Sequence, residues 1–423
     1  MNEKRSSSEA VAQNEKRSSS EAVAQNEKRS SSEAVARHGT NRSFPFYFAT
    51  WYKKSPYFRR TVEAGCTSWD LYNHMLIPTM YDDDVEEYWH LLNHVTLWDV
   101  AVERQVEITG PDAARFTQLL TPRDLGRTMV GQCKYVTICA PDGGIVNDPI
   151  LLKLAEDRFW LSLADSDAML FALGVAAFAG MDVTIREPDV SPLQLQGPKS
   201  KDVIRVLLGD AVRDLKYYWC IETELDGIPL VVSRTGWTGE VGYELYLCDS
   251  SRGEELWDRV MEAGAQHRIR AIAPSDQRRM EAGILNYGND MDITNNPFEV
   301  TGLERLVELD NDNEVVSRAA LERIARQGVR RKLVGVTIGG EPLSMWLEDF
   351  WPVSHDGRVV GRLVSACHSP RLNLNMGYVW VPIELAEVGT VVGIDSPDGA
   401  RAAAVTPLPF LDPRKDVPRD EPA

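Results

Sequence analysis

The chain has 423 residues, which at about 150 residues per domain predicts two or three domains with a real hydrophobic core. Hydrophobic residues make up 43% and charged residues 26%, a globular mixture that excludes a wholly disordered or fibrous protein. With 46 Lys and Arg against 63 Asp and Glu, the formal net charge is -17, which repels a phosphate backbone and argues against nucleic acid as a partner.

The first 42 residues predict a disordered tail. Residues 2–37 consist of three copies of a 12-residue unit, NEKRSSSEAVAQ, of which the last copy ends in Arg instead of Gln. The unit balances its charges and carries almost no apolar surface, so it cannot fold by itself. A docking tail with short transient helices is the alternative, because Ser before Glu-Ala-Val-Ala can cap a helix. We expect the repeats to take no part in the chemistry.

Cysteine usage and hydropathy predict a soluble, cytoplasmic protein. The six cysteines are scattered, with no CxxC motif and no Cys/His pairing at zinc spacing, so reduced thiols and no metal site are expected. The longest apolar stretch, residues 168–181, is too short to cross a bilayer, which takes about 20 residues. The N-terminus also lacks the apolar region of a secretory signal.

From residue 43 the pattern becomes globular and alternates irregularly between helices and strands. Apolar residues at helical spacing predict helices over 82–97, 111–120, 166–178, 200–208 and 251–265. Strand-like runs predict strands over 104–109, 134–139, 149–154, 159–163 and 181–185. Such an irregular order indicates an α+β fold and not a doubly wound α/β sheet. We expect one region over 43–325, divided into two subdomains.

A second strand-rich region follows. Short strands and Gly turns recur after Arg331, in runs such as KLVGVTI and GTVVGIDS, and predict a small β-barrel over 326–412. Residues 413–423 are rich in proline and charge, so a loose tail is expected there.

Absent motifs remove whole classes of enzyme. The sequence has no GxGxxG motif between a strand and a helix, the fingerprint of NAD and flavin dinucleotide sites. Residues 196–200, QGPKS, lack the glycines that a phosphate-binding P-loop requires. His90 and His94 share a predicted helix, but there is no HExxH motif and no evident third ligand. We interpret both as ordinary helix residues.

The segment 233–247, SRTGWTGEVGYELYL, is the most unusual part of the chain. Gly236, Gly239 and Gly242 recur every three residues and permit close backbone approach, while Trp237 and Tyr246 offer ring faces. One interpretation is a site for a flat ligand, and the other is a glycine-rich hairpin with core aromatics. The spacing alone does not decide between them.

A turn at residues 141–144 leads into a strand that carries Asn147 and Asp148 side by side. Because side chains alternate along a strand, only one of the two is expected to point into a given cavity.

Together these segments resemble the aminomethyltransferase family, the folate-dependent T-protein of the glycine cleavage system and its relatives. The resemblance runs from about residue 57 to residue 409 and keeps the order of its markers: Leu97-Trp-Asp-Val100, Gly143-Gly-Ile-Val-Asn-Asp148, Leu195-Gln-Gly-Pro198, Thr235-Gly-Trp-Thr-Gly-Glu-Val-Gly-Tyr-Glu244, Met280-Glu-Ala-Gly283, Tyr287-Gly-Asn-Asp290 and Lys332-Leu-Val-Gly335. It implies a three-domain cloverleaf ring of the α+β class, with a C-terminal β-barrel and a central opening that holds tetrahydrofolate.

Within the family, the closer resemblance is to the branch of dimethylsulfoniopropionate demethylases, carried by residues 72–75, 98–108, 146–149, 163–167 and 369–372. It implies methyl transfer from a sulfonium substrate to tetrahydrofolate. Asn147 stands where T-protein relatives carry Asp, and the amide favours methyl transfer over glycine cleavage, because a sulfonium leaves as a neutral thioether without a general acid. Asn147 is therefore expected to be catalytic, mainly by orienting the reacting atoms.

A sulfonium cation is best bound by aromatic faces. Trp237 and Tyr246 add aromatic surface at positions where T-protein usually has Tyr and a small residue, so the resemblance assigns both to the substrate pocket and Tyr246 also to catalysis. Trp219 is a further substrate-binding candidate, although core packing explains its cluster with Tyr217 and Tyr218 equally well.

The resemblance also assigns residues to folate. Three positions correspond to folate-contacting positions of T-protein: Tyr135, Asp165 and Glu244. The carboxylate of Glu244 suits the pterin as a bidentate acceptor of hydrogen bonds. A folate-site Arg of T-protein is replaced by Ser275. We expect Arg279, or else Arg371, to hold the folate tail.

Two alternatives remain open. The same scaffold can act on another methyl donor, such as a betaine, a methylated amine or an aryl methyl ether. A non-catalytic folate-binding protein is the alternative from a different class, and the joint presence of Trp237, Glu244 and Tyr246 argues against it. The oligomeric state is left undecided, with a homodimer as one option.

Overall fold

The computed structural model describes residues 49–344 and 347–420, so the three N-terminal repeats lie outside the described residues. The α-helices of this part are α1 (Phe58–Glu63), α2 (Asp84–Asn93), α3 (Ala113–Leu120), α4 (Ala168–Ala179), α5 (Ser200–Leu208), α6 (Asp210–Arg213), α7 (Gly253–Gly264), α8 (Asp276–Glu281), α9 (Arg318–Gln327) and α10 (Asp416–Arg419).

Two mixed layers and a barrel contain most of the strands. The strands before the barrel are β1 (Ser68–Tyr72), β2 (Met75–Met80), β3 (Thr96–Asp99), β4 (Gln105–Thr109), β5 (Cys133–Tyr135), β6 (Ile138–Cys139), β7 (Ile145–Asn147), β8 (Ile150–Ala155), β9 (Arg158–Ser162), β10 (Thr184–Arg186), β11 (Ser191–Gln196), β12 (Cys220–Leu225), β13 (Ile228–Ser233), β14 (Gly242–Leu247) and β15 (Arg270–Ala271). The barrel strands are β16 (Arg331–Ile338), β17 (Trp351–His355), β18 (Arg358–Ser369), β19 (Leu374–Pro382), β20 (Val391–Ser396) and β21 (Gly399–Thr406).

The first layer is a six-stranded sheet in the order β12-β13-β14-β11-β3-β15, antiparallel except for the parallel pair of β15 and β3. Strands β11 and β14 are buried along their whole length, as expected for central strands covered on both faces. Helix α7 buries Leu256, Trp257 and Val260, whose spacing gives one apolar stripe toward the core of this layer.

The second layer is a five-stranded sheet in the order β10-β4-β9-β8-β5. Helices α3 and α4 cover it. Phe116 and Leu120, one turn apart on α3, are fully buried in the same cluster as Leu161 of β9. Together the two sheets and their helices confirm the expected α+β class.

The third unit is a closed barrel in the order β16-β19-β18-β17-β20-β21. In β20 the buried Val392 and Ile394 alternate with the exposed Val391, which is the period of a strand with one face toward a core. The predicted C-terminal barrel is therefore confirmed.

The three units pack against one another and leave an opening between them. Cys133 and Leu152 of the five-stranded sheet meet Val231 and Tyr246 of the six-stranded sheet in one buried cluster. A second cluster joins barrel residues such as Trp380 to residues outside the barrel. These contacts fix the walls of the cavity described below.

Two predicted elements are divided differently in the structure, beyond shifts of a few residues at the ends of others. The helix predicted over 82–97 ends at Asn93, and Thr96–Asp99 forms β3, because this apolar run pairs with β11 in the middle of a sheet. The strand predicted over 134–139 is divided into β5 and β6, which belong to different sheets. Helix α2 begins where its acidic start predicts, with Asp83 accepting hydrogen bonds from the N–H groups of Val85 and Glu86.

The expectation of a loose tail after residue 412 is wrong for residues 413–420. The buried Arg234 donates a hydrogen bond of 2.9 Å to the carbonyl of Pro418, and Lys201 forms an ion pair with Asp420. The Asp412 carboxylate accepts from the N–H groups of Asp416 and Val417, each at 2.9 Å. These bonds dock the segment against the six-stranded layer in spite of its polar composition.

Within the described ranges, no helix combines the length and apolar character of a membrane span. Nor do those ranges contain a group of three or more His, Cys, Asp or Glu side chains placed to hold a metal ion. His90 instead bonds the carbonyl of Arg268 at 2.7 Å, while its ring lies 4.9 Å from that of His94.

Candidate functional site

A cavity of about 460 Å³ lies where the three units meet. This volume is within the range of about 300–1,000 Å³ that is usual for small-molecule sites. Both sheets, the β1-β2 hairpin and the loops around residues 283–289 and 301–305 contribute to its wall. Seven aromatic side chains line it: Tyr72, Trp98, Tyr135, Tyr217, Tyr218, Trp237 and Tyr287.

One wall is a row of side chains across the six-stranded sheet. In the strand register, Gln194 of β11 lies between Trp98 of β3 and Glu244 of β14, and Ser233 of β13 lies beyond Glu244. Glu244 accepts hydrogen bonds from Gln194 Nε2 at 2.7 Å and Ser233 Oγ at 3.3 Å, and a further one from Thr235 Oγ1. The carboxylate is therefore fixed in position at the cavity wall.

A second carboxylate, Glu103, lies beside Glu244. Gln194 Nε2 also donates to Glu103 Oε1, at 3.3 Å, so one amide bridges the two acids. Burial raises the pKa of both, and for Glu103 the charge of Glu244 raises it further. The Gln194 amide thus holds two carboxyl groups together at the cavity wall, and both retain oxygen atoms that can accept hydrogen bonds from a ligand.

Asp148 lies between β7 and β8 and lines the cavity on the side of the five-stranded sheet. Its Oδ2 accepts a hydrogen bond of 2.7 Å from the Tyr135 hydroxyl, and its buried Oδ1 has no hydrogen-bond partner among the described residues. Burial raises the pKa of Asp148 to about 7, with the negative charge of Asp290 adding to the effect. A carboxylate with this pKa and an open acceptor oxygen can take up a proton near neutral pH.

Asn147 does not line the cavity, and its expected catalytic role stays a prediction. Its Nδ2 donates to Ala164 O at 2.9 Å and to Ser166 Oγ at 2.8 Å, and its Oδ1 accepts from the Ala164 N–H. The amide is fully buried, and both its nitrogen and its oxygen are used within the protein. Asn147 therefore joins two segments of the second layer while the neighbouring Asp148 reaches the cavity.

Tyr246 does not line the cavity either, and its expected roles in substrate binding and catalysis stay predictions. The ring is fully buried between the two sheets, with its centroid 6.1 Å from that of Trp160. Its hydroxyl donates to Glu244 Oε2 at 2.9 Å. Tyr246 and Glu244 share one face of β14, but Tyr246 is behind the carboxylate and acts as a positioning residue.

We expect Tyr246→Phe and Tyr246→Ala to separate these two roles of the ring and the hydroxyl. Tyr246→Phe removes one hydrogen bond to a charged group. It is expected to weaken the binding of a ligand that contacts the Glu244 carboxylate by about 1.5–3 kcal/mol. Tyr246→Ala leaves a cavity in the core and is expected to lower the free energy of unfolding by about 3–5 kcal/mol. Calorimetric titration and urea denaturation measure the two effects, and a Tyr246→Ala protein of unchanged stability would contradict the core assignment.

Trp237 and Trp219 have different positions. Trp237 lines the cavity and donates from Nε1 to Leu285 O at 3.3 Å, with the Arg279 guanidinium 5.3 Å from its ring centroid. Trp219 does not line the cavity, but its neighbours Tyr217 and Tyr218 do, with ring centroids 4.7 Å apart. The aromatic cluster thus contributes to the site through two tyrosines that sequence reasoning left unassigned.

The packing of the glycine-rich segment explains why it contains glycine, and the segment also lines the cavity. A Cβ atom on Gly236 would lie 2.2 Å from Gln196 Oε1, so only glycine fits against this buried amide. Gly236 also lines the cavity. The segment is therefore a glycine-rich hairpin that also forms part of the cavity wall, and a flat ligand at this wall stays a prediction.

Three residues expected at the folate do not line the cavity. Two of them were expected at the folate tail and one at the pterin. Arg279 is buried, pairs with Asp290 at 2.9 Å, and does not line the cavity. Arg371 donates to Glu281 at 2.9 Å, and Ser275 caps the N-terminus of α8. The exposed Asp165 accepts from the Asn73 N–H and is likewise outside the cavity lining.

Sequence reasoning missed Glu103, Asp148 and Gln194. Asp148 had a signal, because strand alternation allows only one of Asn147 and Asp148 to reach a cavity, and the motif alone favoured the other residue. Glu103 and Gln194 lie within quoted motifs or next to them, but no local pattern shows that a sheet brings them beside Glu244. Tyr135, Trp237 and Glu244 do line the cavity, and their roles stay predictions.

Comparison with known proteins gives consistent matches along the chain. Residues 41–311 match the GCVT N-terminal domain family, and residues 331–412 match the glycine cleavage T-protein C-terminal barrel domain family. The dimethylsulfoniopropionate demethylase of Ruegeria pomeroyi is 41% identical over 353 residues, which cover 84% of this chain and 96% of that protein. An aminomethyltransferase of Desulfitobacterium hafniense is 30% identical over 85% of this chain and 98% of its own length.

A solved structure supports the fold. The glycine cleavage system aminomethyltransferase T from Bartonella henselae superposes with a TM-score of 0.75, at 23% identity, over 85% of this chain and 98% of that chain. The fold of this chain is therefore shared with a solved protein.

Proposed function

This chain belongs to the glycine cleavage T-protein family of aminomethyltransferases, and on that premise we propose that it transfers a methyl group from dimethylsulfoniopropionate to tetrahydrofolate. The products are methylmercaptopropionate and 5-methyltetrahydrofolate. The 41% identity to a dimethylsulfoniopropionate demethylase along 96% of that protein carries the proposal. We propose a cytoplasmic location, supported by six cysteines that are all free thiols.

The cavity wall fits a pterin. Glu244 is fixed by its hydrogen-bond donors, Glu103 retains open acceptor capacity, and the buried Gln194 Oε1 has no partner among the described residues. A pterin edge carries neighbouring N–H donors, which can bond to these carboxylate and amide oxygens. We place the pterin at the row of Glu103, Gln194 and Glu244, with the neighbouring Trp98 beneath it as an apolar floor.

Tetrahydrofolate supplies the nucleophilic nitrogen N5, which bonds the methyl carbon while the electron pair of the broken C–S bond stays on sulfur. The leaving thioether is neutral and needs no acid. Formation of neutral 5-methyltetrahydrofolate also requires the loss of the proton that N5 carries in tetrahydrofolate, so a base has to accept that proton. We assign this role to Asp148, whose Oδ1 is open to the cavity and whose Oδ2 is held by Tyr135.

The sulfonium cation is held by ring faces. Trp237 and Tyr218 line the cavity, and aromatic faces attract a cation by up to about 2 kcal/mol when water is excluded. This attraction weakens as the charge leaves sulfur, so the rings orient the methyl group toward N5 without a specific ion pair that would deepen the ground state.

The proposal is tested by incubating the purified chain with tetrahydrofolate and single methyl donors. The donors are dimethylsulfoniopropionate, glycine betaine, a methylated amine and an aryl methyl ether, and 5-methyltetrahydrofolate is measured by mass spectrometry. We expect product with dimethylsulfoniopropionate, in equal amount to the thioether, and none when folate is omitted. Product from another donor alone would contradict the assigned substrate.

A further inference from the structure

Two cations without an acidic partner stand on the wall of the cavity. Arg305, in the loop after residue 301, and Lys415, in the docked C-terminal segment, both line it. Arg305 Nε donates to Gly302 O at 2.9 Å, but no carboxylate within the described ranges forms an ion pair with either side chain. Of the acidic side chains that line the cavity, Asp276 is paired with Arg279 instead of with either of these cations.

The surroundings make this arrangement unfavourable in the free protein. Burial lowers the pKa of Lys415, and the positive charges of Arg305 and Arg419 lower it further. The charge of Asp412 acts in the opposite direction, but its carboxylate is used by the backbone N–H groups of Asp416 and Val417. Two like charges held together in a chain of net charge -17 indicate a place for an anion.

The position of Lys415 is built by the fold. Its backbone N–H bonds Asp412 O at 2.9 Å, and its φ of 56° is in the left-handed region, which turns the chain at this residue. Arg234 and Lys201 then fix the following residues to the first layer. Lys415 lies beyond residue 412, where the match to the C-terminal barrel family ends.

From these contacts we propose that Arg305 and Lys415 form a carboxylate-binding site at the cavity, which holds the carboxylate end of a reactant. This inference rests on the proposed function, because that function supplies two such carboxylates: the glutamyl tail of folate and the propionate of the sulfonium substrate. Guanidinium and ammonium groups bind carboxylates by charge-assisted hydrogen bonds. The site takes the place of Arg279 and Arg371, which are occupied elsewhere in the structure.

Binding measurements on neutral variants test the proposal. The variants are Lys415→Met and Arg305→Gln, with Lys415→Arg as the conservative variant. Arg414→Gln is the control, since Arg414 is the neighbouring cation, is 83% exposed and pairs with Asp416. Isothermal titration uses four probes: tetrahydrofolate, 6-methyltetrahydropterin without the tail, dimethylsulfoniopropionate, and ethyldimethylsulfonium without the carboxylate.

Both neutral variants are expected to bind one carboxylate probe at least about tenfold more weakly, as for the loss of a hydrogen bond to a charged group. A loss confined to tetrahydrofolate identifies the glutamyl tail, and a loss confined to dimethylsulfoniopropionate identifies the propionate. Both neutral variants should bind the matching probe without the carboxylate as tightly as the wild type does. The Arg414→Gln and Lys415→Arg proteins should bind all four probes with wild-type affinity.

Two results would overturn the proposal. One is unchanged affinity of both neutral variants for both carboxylate probes. The other is an equal loss for the probes that lack the carboxylate, which would show a general disturbance of the cavity. Failure of the wild-type protein to bind either reactant would instead contradict the proposed function and the carboxylate site with it.

Discussion

Asp148→Asn is expected to lower kcat for methyl transfer by about a hundredfold, the lower range for loss of a general base. The amide keeps the shape of the side chain and can still bond Tyr135, so the affinities for folate and the sulfonium should stay close to those of the wild type. Steady-state kinetics and calorimetry measure the two effects separately. Asp157→Asn is the matched control, because Asp157 is an exposed acid in the turn between β8 and β9 and outside the cavity lining.

The pH profile gives Asp148 a second, independent signature. A base must be ionised, so kcat/KM of the wild type should rise with pH and level off above the pKa of about 7 that burial gives to Asp148. The ionisable groups that act on Asp148 are Tyr135, Asp290, Tyr72 and Tyr287. Burial raises the pKa values of the three tyrosines and of Asp290 as well, so the loss of this limb in Asp148→Asn is what assigns it to Asp148. Asp148→Asn should flatten this limb of the profile.

The stability of the same variant separates a catalytic from a structural role. The pKa of Asp148 is raised in the folded state, so the carboxyl group costs free energy of folding as pH rises from the unfolded pKa toward 7. Asp148→Asn removes this cost, and its melting temperature at pH 8 should equal or exceed that of the wild type. Wild-type kcat with an unchanged pH profile would exclude Asp148 as the proton acceptor.

Glu244→Gln is expected to weaken tetrahydrofolate binding by about 1.5–3 kcal/mol, the range for a hydrogen bond to a charged group. The amide keeps the size of the side chain but turns one acceptor oxygen into a donor against Gln194, Thr235 or Tyr246. Binding of dimethylsulfoniopropionate alone should remain. Calorimetric titration with each ligand measures both affinities, after circular dichroism has shown a native fold.

Glu222→Gln on β12 is the control for Glu244→Gln, because it removes a carboxylate from the same sheet that is 53% exposed and pairs with Arg158. Loss of the sulfonium with retention of folate in Glu244→Gln would place the two reactants the other way round. In that case the row of Glu103, Gln194 and Glu244 would be the substrate end of the cavity.

Much of the fold follows from the sequence. The period of the apolar residues and the turn signals give the α+β class and the barrel, and the resemblance gives their arrangement. The division near residue 326 stays a prediction. The ends of helices and strands were harder to predict. The run Thr96–Asp99, for example, continues a helical pattern and becomes a strand only because β11 lies beside it.

The site was predictable only in part, for physical reasons that particular residues show. Trp237, Glu244 and Tyr135 line the cavity, but the motifs do not show which residues of neighbouring strands lie beside them. Tyr246 has the residue type of a cation-binding aromatic, yet the packing of two sheets encloses its ring. Lys415 belongs to a segment whose composition predicts disorder, and the contacts that dock it come from residues about two hundred positions earlier, as for Arg234 and Pro418, which are 184 positions apart.

The most direct test of the central claim follows the methyl group itself. The wild-type protein is incubated with tetrahydrofolate and with dimethylsulfoniopropionate whose two S-methyl groups are fully deuterated, and both products are analysed by mass spectrometry. If an intact methyl group moves from sulfur to N5, 5-methyltetrahydrofolate carries one CD₃ group and the thioether retains the other. A folate product with a CD₂ unit, or with no deuterium at all, would contradict direct transfer of the sulfonium methyl group in this cavity.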